Sequence, residues 1–132
     1  MDVLYPDVDR VIALHAQMLR DTGYPPTALR DRGLLESAIS KPQMAAFYED
    51  ADLVRQAALL GVGIAQNQPF IDGNKRAAYL AMLVFLQVSS RPFVGEPLEL
   101  AHQIEALGTR TDSLEAATDR FEAWLREHVA SV

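Results

Sequence analysis

The sequence predicts an all-α domain of about six helices around a central buried helix, with a possible short flap at 42–50. Three observations carry this expectation. No segment alternates apolar and polar residues convincingly at period two, so strands are not expected. Successive segments place apolar residues at helical spacing, each bounded by turn or capping residues. The stretch from Ala77 to Leu86 has no polar side chain except the Tyr79 hydroxyl, which marks a helix apolar almost all round and therefore central.

The elements follow in order. Asp7 is placed to cap a first helix whose Val8, Val11, Ile12, His15, Met18 and Leu19 share one stripe. Gly23 and the Pro25-Pro26 pair stop it. The charged turn Arg30-Asp31-Arg32-Gly33 leads into a short helix carrying Leu34, Leu35, Ala38 and Ile39. Pro42 is expected to end this helix, because the residue before proline is pushed out of helical geometry. Residues 42–50 show no clear period and read as a loop or a short extended flap. Asp50 or Asp52 can cap the next helix, which runs from Leu53 to Ala65 and is mostly apolar. Gly61 and Gly63 within it each cost about 1 kcal/mol relative to alanine, which close helix packing would explain. The apolar helix then runs from near Asn74 to Ser89-Ser90, and Arg91 to Pro97 form a loop. A helix from about Leu98 to Leu107 stops at Gly108. Asp112 and Glu115 have capping-box spacing ahead of a last helix with Leu114, Ala117, Phe121, Trp124, Leu125 and Val129 inward.

Composition narrows the function classes. At 132 residues the chain reads as one domain, 1–132, large enough for a real core. It contains no cysteine, so disulfides and thiolate metal sites are excluded. The net charge of −6 argues against broad nucleic-acid binding while leaving room for a small basic pocket. The start at Met1-Asp2 has no apolar core of a signal peptide, and the longest apolar run, about ten residues, falls short of a bilayer span. A cytoplasmic protein with no membrane partner is expected.

The chemistry concentrates in Asn67-Gln68-Pro69-Phe70-Ile71-Asp72-Gly73-Asn74-Lys75-Arg76, a polar turn between the two most apolar segments. Its parts suit phosphate. Gly73 allows close backbone approach, and Asn74 can cap the following helix. The first amides of that helix can form an anion nest aided by the helix dipole. Lys75 and Arg76 add two cations, and Asp72 suits a Mg²⁺ that bridges phosphates. The plainer alternative is an ordinary helix connection with solvated cations. Cations at a helix N-terminus oppose the dipole unless an anion is present, which favours the anion site.

Other candidates weigh less. His15, His102 and His128 lie on predicted helices far in sequence from the turn, without metal-ligand spacing, and read as structural or surface residues. Asp112, Glu115, Asp119 and Glu122 read as a solvated helix face. No phosphate loop of the GxxxxGK type, GxGxxG pattern or GxSxG elbow occurs.

The run Gln68-Pro69-Phe70-Ile71-Asp72-Gly73-Asn74-Lys75-Arg76 resembles the signature of the Fic/Doc family, HxFx(D/N)(A/G)NKR in its Doc branch. Leu29-Arg30-Asp31-Arg32-Gly33-Leu34-Leu35-Glu36-Ser37-Ala38 followed by Lys41-Pro42-Gln43 is similar to a second segment of Doc-like toxins. The resemblance covers nearly the whole chain. It implies the toxin of a toxin–antitoxin pair, a kinase that uses ATP with Mg²⁺ to phosphorylate a threonine of elongation factor Tu. The partner would be a Phd-like antitoxin that folds a segment onto the toxin. Transfer of AMP, typical of the wider family, is the alternative enzyme reading, and Lys75 favours the kinase branch. By position, Asp72 would place metal and phosphates, and Gly73 and Asn74 would form the nest. Lys75 and Arg76 would hold phosphate, with Arg76 stabilising charge during transfer. Phe70 would pack inward, and residues 42–50 would form a flap that aligns the target by strand addition.

The chain departs from the pattern at Gln68, which stands where the family has its catalytic histidine. A glutamine amide cannot take up a proton near neutral pH. Losing a positioned base costs about 10²- to 10⁴-fold in rate. The resemblance therefore implies nucleotide binding with impaired transfer, in either a degenerate, non-catalytic member or a detoxified one. Thr118 to Ala123 matches the start of the family's inhibitory (S/T)xxxE(G/N) helix but ends in alanine, and reads as structural.

Overall fold

A computed structural model describes residues 3–25 and 27–131. Among these residues the architecture is helical: α1 (Val8–Asp21), α2 (Arg32–Glu49), α3 (Leu53–Asn67), α4 (Asn74–Val88), α5 (Pro97–Gly108) and α6 (Leu114–Arg126). Extended pairing is limited to two isolated antiparallel bridges, Leu29 with Phe70 and Phe93 with Val129. No described helix is long and apolar enough to cross a membrane.

Local chemistry sets most boundaries. Asp7, Asp31, Asp52 and Ser113 each cap a helix by accepting a backbone N–H three residues on. The expected capping box of Asp112 and Glu115 is not the cap used. Ser113 takes that place, and Asp112 instead pairs with Arg120 at 2.7 Å. Of the proline pair expected to stop α1, Pro26 lies outside the described residues. Thr22 closes the helix, and Gly23 at φ +84° turns the chain away from it.

Two expectations are overturned. Pro42 does not end α2; it sits buried inside an 18-residue helix, and residues 42–49 are helical rather than a loop or flap. The lost N–H bond at Pro42 is offset by packing, because Ala38, Pro42 and Ala45 form one buried face against α3. The helix stops only at Asp50, which adopts the left-handed conformation at φ 55°. The most enclosed helix is α3, not α4. It contacts α2, α4, α5 and α6, whereas α4 leaves Tyr79, Leu80, Leu83 and Val84 half-buried.

The glycines of α3 explain that enclosure. A Cβ on Gly61 would run into the Met82 side chain of α4, and one on Gly63 would lie 3.2 Å from Ala38 of α2. Their cost in helix propensity is therefore exchanged for close contact on two sides. A charged ribbon ties α3 to α6: Arg55 bonds Asp119 and Glu122, and Arg126 bonds Asp52 and Glu122. The Arg126 hydrogen bond holds the Asp52 carboxyl below its ordinary range. Thr118 and Glu122 belong to this structural face. The Thr118 hydroxyl is buried on the Leu114 carbonyl, so the segment matching an inhibitory helix is spent on packing.

Candidate functional site

The site is the loop from Gln68 to Gly73, held between α3 and α4. It begins with Gln68, which ends α3 in the left-handed conformation, φ 51° and ψ 57°. A non-glycine residue is held there because its surroundings over-determine it. The Arg30 guanidinium donates to the carbonyls of Asn67 (3.0 Å) and Gln68 (2.8 Å). The Asn67 amide donates to the Leu34 carbonyl, and the Pro69 carbonyl accepts the N–H of Arg30 and of Asp31. The charged turn before α2 is thus the wall that shapes the loop. The bridge between Leu29 and Phe70 completes it.

Phe70 packs inward as expected, 1% exposed. Asn74 does not cap α4 as expected. It is the first helical residue, behind Gly73 at φ +78°, and its side chain turns back onto the loop. Its oxygen accepts the Phe70 N–H and its amide donates to the Phe70 carbonyl, both at 2.9 Å. This clamp leaves the N-terminus of α4 without a side-chain cap, which is the condition for an anion nest.

An open cleft of about 590 Å³ lies over this helix end. Gln68, Asp72, Gly73, Asn74, Lys75 and Arg76 line it, so the structure brings together every site residue the sequence singled out. Gln68 is exposed at the cleft, in reach of a bound molecule. Arg76 is exposed and makes no ion pair among the described residues. Lys75 pairs with Glu105 of α5 at 3.1 Å, their side chains 47% and 64% exposed, a contact open enough for a phosphate to compete with. The Asp72 carboxylate accepts the Gly73 N–H at 2.8 Å. No cluster of three metal-ligating side chains occurs among the described residues. Asp72 alone fits a Mg²⁺ that keeps waters and shares phosphate oxygens, not a protein-only metal cage.

Sequence reasoning missed several contributors. Met18, Leu19, Tyr24 and Ile71 form an apolar side of the cleft, and Glu105 stands on its rim. His15, expected to be structural, is buried on α1 and brought against the loop. Its Nε2 lies 2.7 Å from the Asp72 carbonyl, and its ring stacks on Phe70 at 3.8 Å. The α1 stripe contained the signal, since histidine was its one polar member. His102 and His128 stay away from the cleft, and His128 bonds the Trp124 carbonyl within the C-terminal region.

An uncapped helix end, two cations and a mixed polar and apolar cleft are the parts an anion site needs. Comparison with known proteins is more specific. Residues 5–86 match the sequence model of the Fic/DOC family, which covers α1 to α3, the whole loop and α4 but for its last two residues, and the chain belongs to that family. It is similar to "Toxin Doc" of Mycolicibacterium smegmatis, 40% identical over 63 residues, 46% of this chain and 48% of that protein. The match thus spans about half the length of that relative.

Proposed function

We propose that this chain is the toxin of a toxin–antitoxin pair, a Doc-like kinase scaffold that binds ATP with Mg²⁺ and is impaired in transfer by Gln68. The observation that carries the reading is the cleft itself, where the α4 N-terminus, Lys75, Arg76 and Asp72 converge beside an apolar wall. Family membership and the similarity to a Doc toxin support it.

The amides of α4 and Arg76 would hold the phosphates, and Arg76 would offset charge that develops during transfer. Asp72 would position Mg²⁺, which supplies charge neutralisation across neighbouring phosphates. A threonine hydroxyl of elongation factor Tu would form a bond to the γ-phosphorus while the bond to the bridging oxygen breaks and ADP leaves. The hydroxyl proton needs an acceptor at position 68. Gln68 can orient the hydroxyl by hydrogen bonding but cannot take the proton. The partner that silences the active scaffold would be a Phd-like antitoxin, and the site of action the cytoplasm.

The experiment compares this chain with Gln68→His for growth arrest and for label transfer from ATP to elongation factor Tu. The reading expects γ-label on the factor and arrest only with Gln68→His. Transfer of α-label instead would mean AMP transfer. Silence of both chains would leave a non-catalytic binding module, a reading that the exposed Gln68 at the reaction position favours over AMP transfer.

A further inference from the structure

We infer that His15 is a positioning residue for the anion site: its Nε2–H fixes the orientation of the Asp72–Gly73 peptide and so keeps a carbonyl oxygen out of the cleft. The inference rests on reading the cleft as a phosphate site.

The Asp72 carbonyl can only accept, so the 2.7 Å contact requires the proton on Nε2. His15 is 1% exposed and stacked nearly parallel on Phe70, at 10°, so its ring has little freedom to leave that contact. A Cβ on Gly73 would stand 3.1 Å from both the His15 Nε2 and the Met18 Cε, so α1 closes on the loop without slack. The described peptides are trans, and the carbonyl and N–H of one peptide therefore point in opposite directions. With the carbonyl turned inward to His15, the Gly73 N–H points outward, where the exposed Asp72 carboxylate meets it.

Glycine at position 73 makes this lock necessary. Its φ of +78° is one of several conformations open to glycine, so the preceding peptide can flip at small steric cost. The flipped peptide would aim an electronegative oxygen at the anion position, in place of an N–H now held by the Asp72 carboxylate. Phosphate would then meet a further repulsive oxygen at the helix end. As the Nε2–H tautomer, the imidazole gives the inward carbonyl a buried hydrogen bond and would set its own N–H against the Gly73 N–H of a flipped peptide. His15 thus acts on the bound anion through the loop backbone, without touching it.

The test uses this chain, His15→Leu, which keeps bulk but not the donor, and His15→Gln, whose amide nitrogen can reach the place of Nε2. Each is titrated calorimetrically with ATP plus Mg²⁺ and with inorganic triphosphate, and unfolded in urea. His15→Leu is expected to bind both probes about tenfold more weakly. His15→Gln is expected to recover most of that loss. Binding by His15→Leu equal to that of the unchanged chain overturns the inference alone. Failure of the unchanged chain to bind either probe overturns the phosphate reading and the inference together. Should His15→Leu not fold, ¹⁵N resonances of the His15 imidazole in the unchanged chain decide: the Nε2–H tautomer supports the inference, and the Nδ1–H tautomer overturns it.

Discussion

Replacing Asn74 with alanine removes both hydrogen bonds that clamp the loop, one to the Phe70 N–H and one to its carbonyl, each 2.9 Å long. Phe70 is 1% exposed, so its backbone groups are poorly placed to find water instead. A net hydrogen bond is worth about 1 kcal/mol, and leaving a buried partner unpaired costs about 1–3 kcal/mol. Two bonds lost from a part-buried pair therefore predict a destabilisation of about 2–3 kcal/mol. The helix-propensity gain of alanine at a first helical position is too small to offset this. Urea unfolding followed by circular dichroism measures it, with the midpoint falling and the slope unchanged. Asn74→Asp, which keeps the acceptor and loses the donor, should fall between the two chains. A loss below about 0.5 kcal/mol for Asn74→Ala would refute the clamp, since that is the range of an ordinary surface change.

Gly61→Ala should destabilise the chain by about 1–3 kcal/mol despite better helix propensity, because the added Cβ meets the Sδ and Cγ of the fully buried Met82, which must shift within the core; urea unfolding checks this. Arg76→Ala should weaken ATP binding in calorimetry about tenfold or more, and Lys75→Ala less, because Lys75 is already shared with Glu105. Asp52, whose carboxyl is held low by the hydrogen bond from Arg126, should contribute stability that is complete above the ordinary carboxylate range near 3.8 and is lost as pH falls through its lower folded value. Asp52→Asn, which keeps a helix cap, should flatten the acid limb of the thermal midpoint between about pH 2 and 5; an unchanged limb would contradict the assignment.

Much of the site was legible because its residues are contiguous. The candidate residues from Gln68 to Arg76 lie in one run, and their place between two apolar segments put them at a helix junction. The helical class was legible from periodicity, Asp7 from its capping spacing, and Asp52 as one of two candidate caps with Asp50. The errors came where tertiary packing outweighs a local rule. Pro42 breaks a helix in isolation, yet α2 continues past it because its buried face packs on α3. Apolar content pointed to α4 as the centre, whereas the two glycines make α3 the helix that neighbours can approach from several sides. Asn74 has the chemistry of a cap but serves the loop behind it. His15, Arg30 and Glu105 could not be assigned to the site because their contacts cross long stretches of chain, 57, 38 and 30 residues.

The most direct measurement pairs ATP affinity with phosphate transfer for this chain and for Gln68→His. Histidine tolerates the left-handed backbone at position 68 and adds a base while leaving the residues of the proposed phosphate nest unchanged. The account predicts affinities for ATP with Mg²⁺ equal within about threefold, with γ-phosphate transfer about 10²-fold or more faster for Gln68→His. Failure of both chains to bind the nucleotide, or equal transfer by both, would contradict it.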